Sequence, residues 1–223
     1  MPSRETKDAP GQKVRSGDKA GEERIRARNV RKILKAATSI FSRKGFDGTR
    51  IAEIAELAGL PKANVYYYFA SKEEIYEAVI ESLIRGWDDA LKHISPDREP
   101  GDSLEAYVRA KLDYSRRNAE ESRVFANEIL GGARFFKRKD RLHMRLVTKT
   151  HSATVEKWIA DGKIRPVDPR HLFIMLWSST QFYADFETLA CDALDSPRLR
   201  LADYEAAAHT IVETVLRGLL PSP

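Results

Sequence analysis

The sequence predicts an all-α protein of nine helices. Apolar residues recur at spacings of three and four along most of the 223 residues, which is the period of amphipathic helices. No segment shows a convincing alternation of apolar and polar residues, the pattern of a half-buried strand. Glycine and proline interrupt the periodic segments, where they end helices and mark the loops between them.

The first predicted segment, residues 1–23, carries no apolar period. It is polar and rich in charge, so we expect it to be a disordered basic arm. Such an arm can fold along DNA or enter a minor groove. A solvated tail is the alternative. Basic residues run through the arm and continue past it: Lys13, Arg15, Lys19, Arg24, Arg26 and Arg28.

Residues 24–72 are predicted to form a DNA-binding domain of three helices. The helix over residues 30–44 carries a continuous apolar stripe. Two short helices follow, joined at Gly59, a residue that adopts left-handed backbone without strain. This is the pattern of a helix-turn-helix. In its second helix Val65 and Phe69 face inward, so positions 62 and 66 share the outward face.

Residues 73–220 are predicted to form a second helical domain. Its first helix, residues 73–94, connects the two domains and starts with a capping box of Ser71 and Glu74. Asp168 and Pro169 supply the N-cap and first-turn proline of a later helix. The remaining predicted helices cover residues 102–118, 122–131, 141–160, 168–190 and 202–220.

Charge separates the two domains. Residues 1–72 hold 16 Lys or Arg against 8 Asp or Glu, whereas residues 73–223 hold 22 basic and 25 acidic side chains. Net charges of +8 and −3 follow. Because DNA binding requires clustered basic side chains to neutralise phosphates, the first part is the one expected to bind nucleic acid.

Several motifs together resemble the TetR-type regulators. Those in the first domain are Thr49-Arg50, Ile54-Ala55, Ala58-Gly59, VYYYF at residues 65–69 and Ser71-Lys72-Glu73. Residues 122–133 and 167–186 resemble the pyrimidine-utilisation (Rut) branch of that family. The resemblance implies a homodimeric, ligand-responsive transcription regulator, in which residues 73–220 are the effector-binding and dimerisation domain. One departure is Pro61, where many relatives carry Ser, so a hydroxyl that caps the helix or touches DNA is absent.

The candidate DNA contacts lie on the outward face of the second helix of the helix-turn-helix and at the starts of the neighbouring helices. They are Thr49, Arg50, Lys62, Ala63, Asn64, Tyr66, Tyr68 and Lys72. Thr49 is expected to cap its helix while a phosphate lies against the free N–H groups. The resemblance assigns groove or phosphate contacts to Tyr66 and Tyr68. Tyr67 is less favoured, and packing is the alternative for all three tyrosines.

A polar set inside an apolar helix predicts the ligand site. Residues 177–186 follow the apolar run of residues 172–176, which should be buried. Buried polar groups need partners, and a ligand is one such partner. The amide of Gln181 matches the N–H and C=O edge of a pyrimidine such as uracil; a structural hydrogen bond across the bundle is the alternative. The candidate ligand residues are Trp87, Trp177, Gln181 and Tyr183.

Trp177 also fits a dimer interface, where aromatic side chains are enriched. The seam of the last helix, including Val212 and Leu216, and the first half of the helix before it predict a four-helix bundle across a two-fold axis. A displacement of Trp87 in the connecting helix would move the helix-turn-helix as a rigid body. The expected partners are therefore a second subunit, an effector and a palindromic double-stranded operator.

Other chemistry finds little support in the sequence. The five histidines form no metal triad with a carboxylate, and there is no G-x-S-x-G elbow. A single cysteine excludes an internal disulfide. The longest apolar run, residues 172–177, is too short for a membrane span. We expect no catalytic or metal-binding residues, no cofactor apart from the effector, no membrane contact and a cytoplasmic location.

The function predicted is thus a ligand-responsive regulator, in its simplest form a repressor. An activator or dual regulator on the same scaffold is the alternative within regulation. A protein that coats DNA without sequence preference, and a helical enzyme or scaffold with an incidental helix-turn-helix, are the alternatives from other classes. Preference for one operator over random DNA separates a specific regulator from a non-specific coater.

Overall fold

The computed structural model describes residues 16–221, with side chains from residue 21 onward. All regular secondary structure in this range is helical, which confirms the predicted all-α class. The helices are α1 (Ser16–Lys44), α2 (Ile51–Ala58), α3 (Lys62–Tyr68), α4 (Lys72–Leu91), α5 (Pro100–Arg117), α6 (Ala119–Leu130), α7 (Arg138–Ala160), α8 (Pro169–Asp185), α9 (Glu187–Ala193) and α10 (Leu201–Leu219).

Ten helices, rather than the predicted nine, occupy the described range. The prediction of one helix over residues 168–190 was wrong, because the chain breaks at Phe186, where φ is −125° and ψ is 43°. Side chains of α6 fix the break. Arg123 donates a hydrogen bond to the Ala184 carbonyl, and the Ser122 hydroxyl donates to the Asp185 carboxylate. These partners satisfy the end of α8 in place of a continuing helix.

Helix α1 begins at Ser16, well before the predicted start at residue 30. The expectation of disorder was therefore wrong for residues 16–23, while residues 1–15 of the predicted arm lie outside the described part of the chain. Residues 21–28 are exposed and rich in Glu and Arg, which are good helix formers. Helical propensity and the contact of Arg26 with the Tyr68 ring support this extension, and no apolar period marks it in the sequence.

The first three helices and the start of α4 enclose a small core. Its fully buried side chains include Ile33, Phe41, Ile54, Val65 and Ile75. Ala55 is buried where α2 packs against its neighbours, and Gly59 has a φ of 64° in the turn before α3. The helix-turn-helix is therefore present as predicted.

Helix α4 belongs to both domains, as predicted. The Ser71 hydroxyl accepts a hydrogen bond from the Glu74 amide, while the Glu74 carboxylate accepts one from the amide of Ala70. The helix buries its first half in the N-terminal core and its last turn, with Leu91, in the second core. A displacement of the Leu91 end of α4 is therefore transmitted along a single helix to the helix-turn-helix.

The second core lies between α5, α7, α8 and α10, and its largest buried side chains include Trp158, Tyr107 and Phe173. Val212 is buried in this core and Leu216 packs against it. The expectation that Val212 lies in a seam between subunits was wrong, because α10 uses that face to pack within its own chain. Within residues 16–221, no helix combines the length and apolar character needed to cross a bilayer.

Candidate functional site

The outward face of α3 is basic, polar and aromatic. Lys62, Ala63, Asn64 and Tyr66 are exposed, whereas Val65 is completely buried and anchors the helix to the core. The Lys62 ammonium lies 5.7 Å from the centroid of the Tyr66 ring. The amide, the ammonium and the methyl group exposed here are chemical groups that bind base edges in a major groove.

The three consecutive tyrosines of α3 have different surroundings. Tyr67 is 73% exposed and Tyr66 is 47% exposed, while Tyr68 is half-buried. The Tyr68 hydroxyl accepts a hydrogen bond from the Asn29 side-chain amide at 3.0 Å, and the Arg26 guanidinium lies 5.7 Å from its ring centroid. Helix α1 therefore positions Tyr68, whose hydroxyl keeps its own proton for donation. Tyr67, the least favoured tyrosine in the sequence, is the most exposed.

Hydrogen bonds from the Thr49 and Lys72 side chains hold the loop before α2 in place. Thr49 is buried and its hydroxyl donates to the Gly45 carbonyl at 2.7 Å. The prediction that Thr49 caps α2 was wrong, because Arg50 occupies the N-cap position. The Lys72 ammonium donates to the carbonyls of Phe46, at 2.7 Å, and Thr49, at 3.0 Å. Since an ammonium has three donors, one remains for a further partner such as a phosphate.

A cavity of about 110 Å³ lies inside the C-terminal domain. Three of the four predicted ligand residues, Trp87, Trp177 and Gln181, line it together. Gln181 makes no hydrogen bond within the described residues, so the structural bond across the bundle is not formed there. The complete lining is Trp87, Asp88, Leu91, Tyr107, Lys111, Phe125, Met144, Val147, Thr148, Trp177 and Gln181.

Tyr183, the fourth predicted ligand residue, does not line this cavity. Its ring lies against Phe182 and Tyr204, with centroids 6.4 Å and 6.0 Å away. The reason is helical phase, because positions two apart on a helix point to nearly opposite sides. Gln181 and Tyr183 therefore face different sides of α8, so the structure does not bring Tyr183 together with the other three, and a ligand contact for Tyr183 stays a prediction.

Lys111 is a member of the cavity lining that the sequence prediction missed. It is 2% exposed, and its ammonium lies 4.4 Å from the centroid of the Trp87 ring. Burial lowers the pKa of Lys111 to about 7, partly opposed by the Asp185 carboxylate. Its sequence signal was a charged residue within the buried stripe of α5, four positions after Tyr107.

The cavity combines aromatic walls with a few polar groups. Phe125 packs edge-on against Trp87, with centroids 4.8 Å apart. The buried Tyr107 hydroxyl lies beside Trp177 but has no hydrogen-bond partner of normal geometry. An unpartnered buried hydroxyl is costly, and a ligand that bonds to it removes that cost. Apolar walls with a few convergent polar groups are typical of small-molecule sites.

Comparison with known proteins identifies the family. A family model described as "Bacterial regulatory proteins, tetR family" matches residues 33–79, and one described as "YcdC-like protein, C-terminal region" matches residues 80–222. The HTH-type transcriptional regulator RutR of Escherichia coli (strain K12) is 41% identical over 201 residues, which cover 89% of this chain and 94% of RutR. The chain belongs to the TetR family of bacterial regulators.

Further TetR-family comparisons agree. The HTH-type transcriptional repressor NicS of Pseudomonas putida is 30% identical, covering 84% of this chain and 90% of NicS. The structure of PfmR from Thermus thermophilus has a TM-score of 0.66 at 22% identity, covering 85% of this chain and 96% of PfmR. AibR, solved with isovaleryl coenzyme A and operator DNA, has a TM-score of 0.64 at 21% identity, covering 83% and 97%. The two structures share the fold, and RutR and NicS are regulators rather than enzymes.

An exposed apolar face runs along the outer side of α8 and α9 in this TetR-family chain. We call it the α8 apolar face; it consists of Ile174, Met175, Phe182, Phe186 and Leu189, each more than 40% exposed. Ile211 of α10 borders a shallow groove next to Met175 and Phe182. The rings of Phe182 and Phe186 lie 5.3 Å apart, so Met175, Phe182 and Phe186 form adjoining exposed apolar surface, which is typical of an interaction site.

Two routes connect the cavity with the DNA-binding domain of this TetR-family fold. One is α4, which carries Trp87. The other passes from Phe125 to Phe136, whose ring centroids are 5.7 Å apart, and then through the adjacent Phe135 to Phe46, at 4.3 Å, in the loop before α2. We call this series of rings, Phe125, Phe136, Phe135 and Phe46, the aromatic strap. The Glu128 carboxylate holds it in place by accepting hydrogen bonds from the amides of Phe135 and Phe136.

Metal binding finds no support in the part of the chain that the structure describes. No group of three or more His, Cys, Asp or Glu side chains is arranged there to hold an ion. Cys191 is a free, partly buried thiol.

Proposed function

We propose that this TetR-family chain is a ligand-responsive transcriptional repressor that binds a palindromic operator as a homodimer in the cytoplasm. The observation that carries the proposal is the exposed face of α3, where Lys62, Ala63, Asn64 and Tyr66 project while Val65 fixes the helix from below. A rigid helix with a polar and basic outer face fits a major groove.

Within this proposal the contacts divide into two classes. Lys62, Ala63, Asn64 and Tyr66 meet base edges, since they lie on the outermost part of α3. The phosphate contacts lie on either side of these residues. Arg50 and Lys72 provide them at the starts of α2 and α4, and Tyr67 and Tyr68 provide them from α3. Thr49 is left out of the proposed contacts because its hydroxyl is engaged inside the protein. Base contacts specify the sequence, and phosphate contacts set the orientation.

Substitutions of Lys62 and Lys72 test this division. Lys62→Ala is expected to weaken operator binding by about 1–3 kcal/mol and to relax specificity at one base pair. Lys72→Ala is expected to weaken binding to all sequences alike, and also to lower the melting temperature, since its ammonium braces two loop carbonyls. The measurement is affinity for operator and random duplexes as a function of salt.

Lys92→Ala serves as the control, because Lys92 is exposed just after the far end of α4. Equal, sequence-independent losses for Lys62→Ala and Lys72→Ala would contradict the division into base and phosphate contacts. A wild-type protein with no preference for any operator would instead support a non-specific DNA coater.

The effector we propose for the cavity is a pyrimidine base such as uracil or thymine. A cavity of about 150 Å³ holds a benzene-sized ring, so the cavity of about 110 Å³ has room for one six-membered ring at most. Trp87 and Trp177 offer faces for stacking. The Gln181 amide offers a donor and an acceptor to the N–H and C=O edge. The resemblance to pyrimidine-utilisation regulators points to the same class of ligand.

Effector affinity is expected to depend on pH through Lys111. A ligand carbonyl binds a protonated amine more strongly than a neutral one, so the bound effector raises the pKa of Lys111 above its value of about 7. The contribution of this contact is then complete below pH 7 and is lost as the pH rises through the pKa of the bound state. Calorimetric titration with uracil between about pH 6 and pH 9 measures it.

Lys111→Met should flatten this pH dependence, since methionine fills the buried position without a titrating group. Lys92→Met, which changes an exposed lysine, should leave the dependence in place. An affinity for uracil that is constant over the same pH range in the wild type would show that Lys111 does not contact the ligand.

Repression is relieved, in this proposal, when the effector favours a subunit arrangement that no longer fits the operator. A ligand with equal affinity for both arrangements would shift nothing. Trp87 lies on α4 and Phe125 lies at the start of the aromatic strap, and both side chains line the cavity. The two routes from the cavity to the helix-turn-helix therefore begin at its wall. An effector that moves either side chain therefore acts on the position of α3.

A further inference from the structure

A second, larger space adjoins the cavity. It is an open groove of about 900 Å³ between α7 and the first turns of α8. Met144, Thr148 and Trp177 line both the groove and the cavity, so these three side chains form the boundary between them. Met144 is unbranched and adaptable, which suits a boundary that opens for a ligand. The groove is within the size range of sites for ligands larger than one ring.

The groove carries two unpaired cations. Arg145 and Lys149 lie four residues apart on α7 and therefore share one face of that helix. Neither forms a hydrogen bond or a salt bridge with any residue in the described part of the chain. The acidic side chains of the groove lie at its other end, where Asp168 is paired with Arg170 at 2.7 Å and Glu156 lies near the same arginine.

A buried hydroxyl lies in the wall of this groove. Ser152 lines the groove, is 8% exposed, and its Oγ atom has no hydrogen-bond partner. A buried hydroxyl without a partner costs free energy that a ligand hydroxyl can recover. The groove thus offers one polar partner for a sugar and two cations for an anion, next to a cavity of single-ring size.

We propose that the cavity and the groove together bind a pyrimidine nucleotide, with the base in the cavity, the sugar in the groove beside Ser152, and the phosphate against Arg145 and Lys149. This inference rests on the proposed pyrimidine effector. The volumes support it, because the cavity alone holds a single ring and anything attached to the base must extend past Met144 and Thr148. Arginine and lysine are both common phosphate ligands in proteins.

Calorimetry on the full-length protein tests this with uracil, uridine, uridine monophosphate and ribose 5-phosphate. The nucleotide is expected to bind about tenfold more tightly than uridine, as charge-assisted contacts to its phosphate allow. The double substitution Arg145→Gln with Lys149→Gln should remove this difference while leaving uracil affinity unchanged. Ribose 5-phosphate, which lacks the base, should bind much more weakly than the nucleotide.

Lys157→Gln with Lys163→Gln is the matched control. Both lysines are on the surface, each pairs with a neighbouring carboxylate, and neither lines the groove. This variant loses the same charge and should keep the preference for the nucleotide. If the control loses the preference as well, the effect comes from overall charge and the proposed phosphate site is wrong.

The outcomes separate this inference from the proposed effector. If uracil binds while uridine and the nucleotide do not, the groove is closed to ligands and only the base effector stands. If the nucleotide binds and uracil does not, the groove supplies the essential contacts and the base alone is not the effector. If none of the four compounds binds, both proposals fail.

Discussion

Phe182→Glu is expected to convert the protein to monomers and to lower operator affinity by about 10²–10⁴-fold. Phe182 lies in the α8 apolar face and is 41% exposed in the single chain, so a carboxylate there remains hydrated in the monomer. We place the interface of the proposed dimer at the α8 apolar face, so in the dimer the same carboxylate would be buried without a partner, which is strongly unfavourable. A monomer reads only one half-site, and losing the second half-site removes a gain of about 10²–10⁴.

Sedimentation measures the oligomeric state, and circular dichroism checks that the helices remain. Met175→Glu, on the same face, should act in the same way. Leu142→Glu is the control, because Leu142 is an exposed leucine of α7 outside the α8 apolar face. A Phe182→Glu protein that remains a tight dimer would place the interface elsewhere.

Val212 is unsuitable for this test, although the last helix alone suggests it. Its side chain is buried against α5 and the rest of the second core, so a glutamate there would unfold the subunit before it affected a partner. The sequence marks α10 as amphipathic but does not say whether its apolar side faces the same chain or another. Only the packing of α10 on α5 decides that question.

Local patterns predicted the N-terminal domain well. The stripe of α1, the left-handed Gly59 and the Ser71 cap are each determined by residues close in sequence, and each is present. The break at Phe186 had no such sign, because Arg123 and Ser122 impose it from about sixty residues away in sequence. The N-terminal extension of α1 lacked a sign for a different reason, since it buries no apolar face.

The ligand residues show the same division. Trp177 and Gln181 were predicted because a polar segment follows the apolar run of α8, and Trp87 because it lies near the far end of the connecting helix. The fold brings these three together around one cavity. Tyr183 was predicted with them because the polar segment was treated as one set, but a helix turns by about 100° at each residue, so Tyr183 lies outside this cavity. Lys111 was overlooked despite its place on a buried stripe. Its approach to the Trp87 ring depends on the packing of α4 on α5, which no local pattern specifies.

Gln181→Leu is expected to abolish the response to the effector while leaving effector-free operator binding nearly unchanged. In the wild type, saturating uracil should lower operator affinity by about 1–3 kcal/mol, a range of about 5–150-fold. Leucine is similar in size to glutamine but offers no hydrogen bond, so the cavity remains filled while the amide contact is lost. Operator affinity with and without uracil, measured by fluorescence anisotropy on labelled DNA, gives the result.

Tyr183→Phe is the matched control on the same helix. It removes one hydroxyl from a ring that packs against Tyr204, outside the cavity, so the response to uracil should persist. If Gln181→Leu unfolds the protein, the amide has a structural role, and melting curves of the two variants distinguish this from loss of binding.

Loss of uracil binding and loss of coupling between the uracil and operator sites are distinguished by measuring how operator DNA changes uracil binding. Because coupling free energy is reciprocal, operator DNA should weaken uracil binding to the wild type by the same factor by which uracil weakens operator binding. Gln181→Leu should show no heat of uracil binding with or without DNA. A variant that still binds uracil normally but no longer releases DNA would make Gln181 part of the route to α3. A wild type that ignores uracil, thymine and related bases would contradict the pyrimidine effector, since the amide edge of Gln181 and the single-ring volume were the features that selected it.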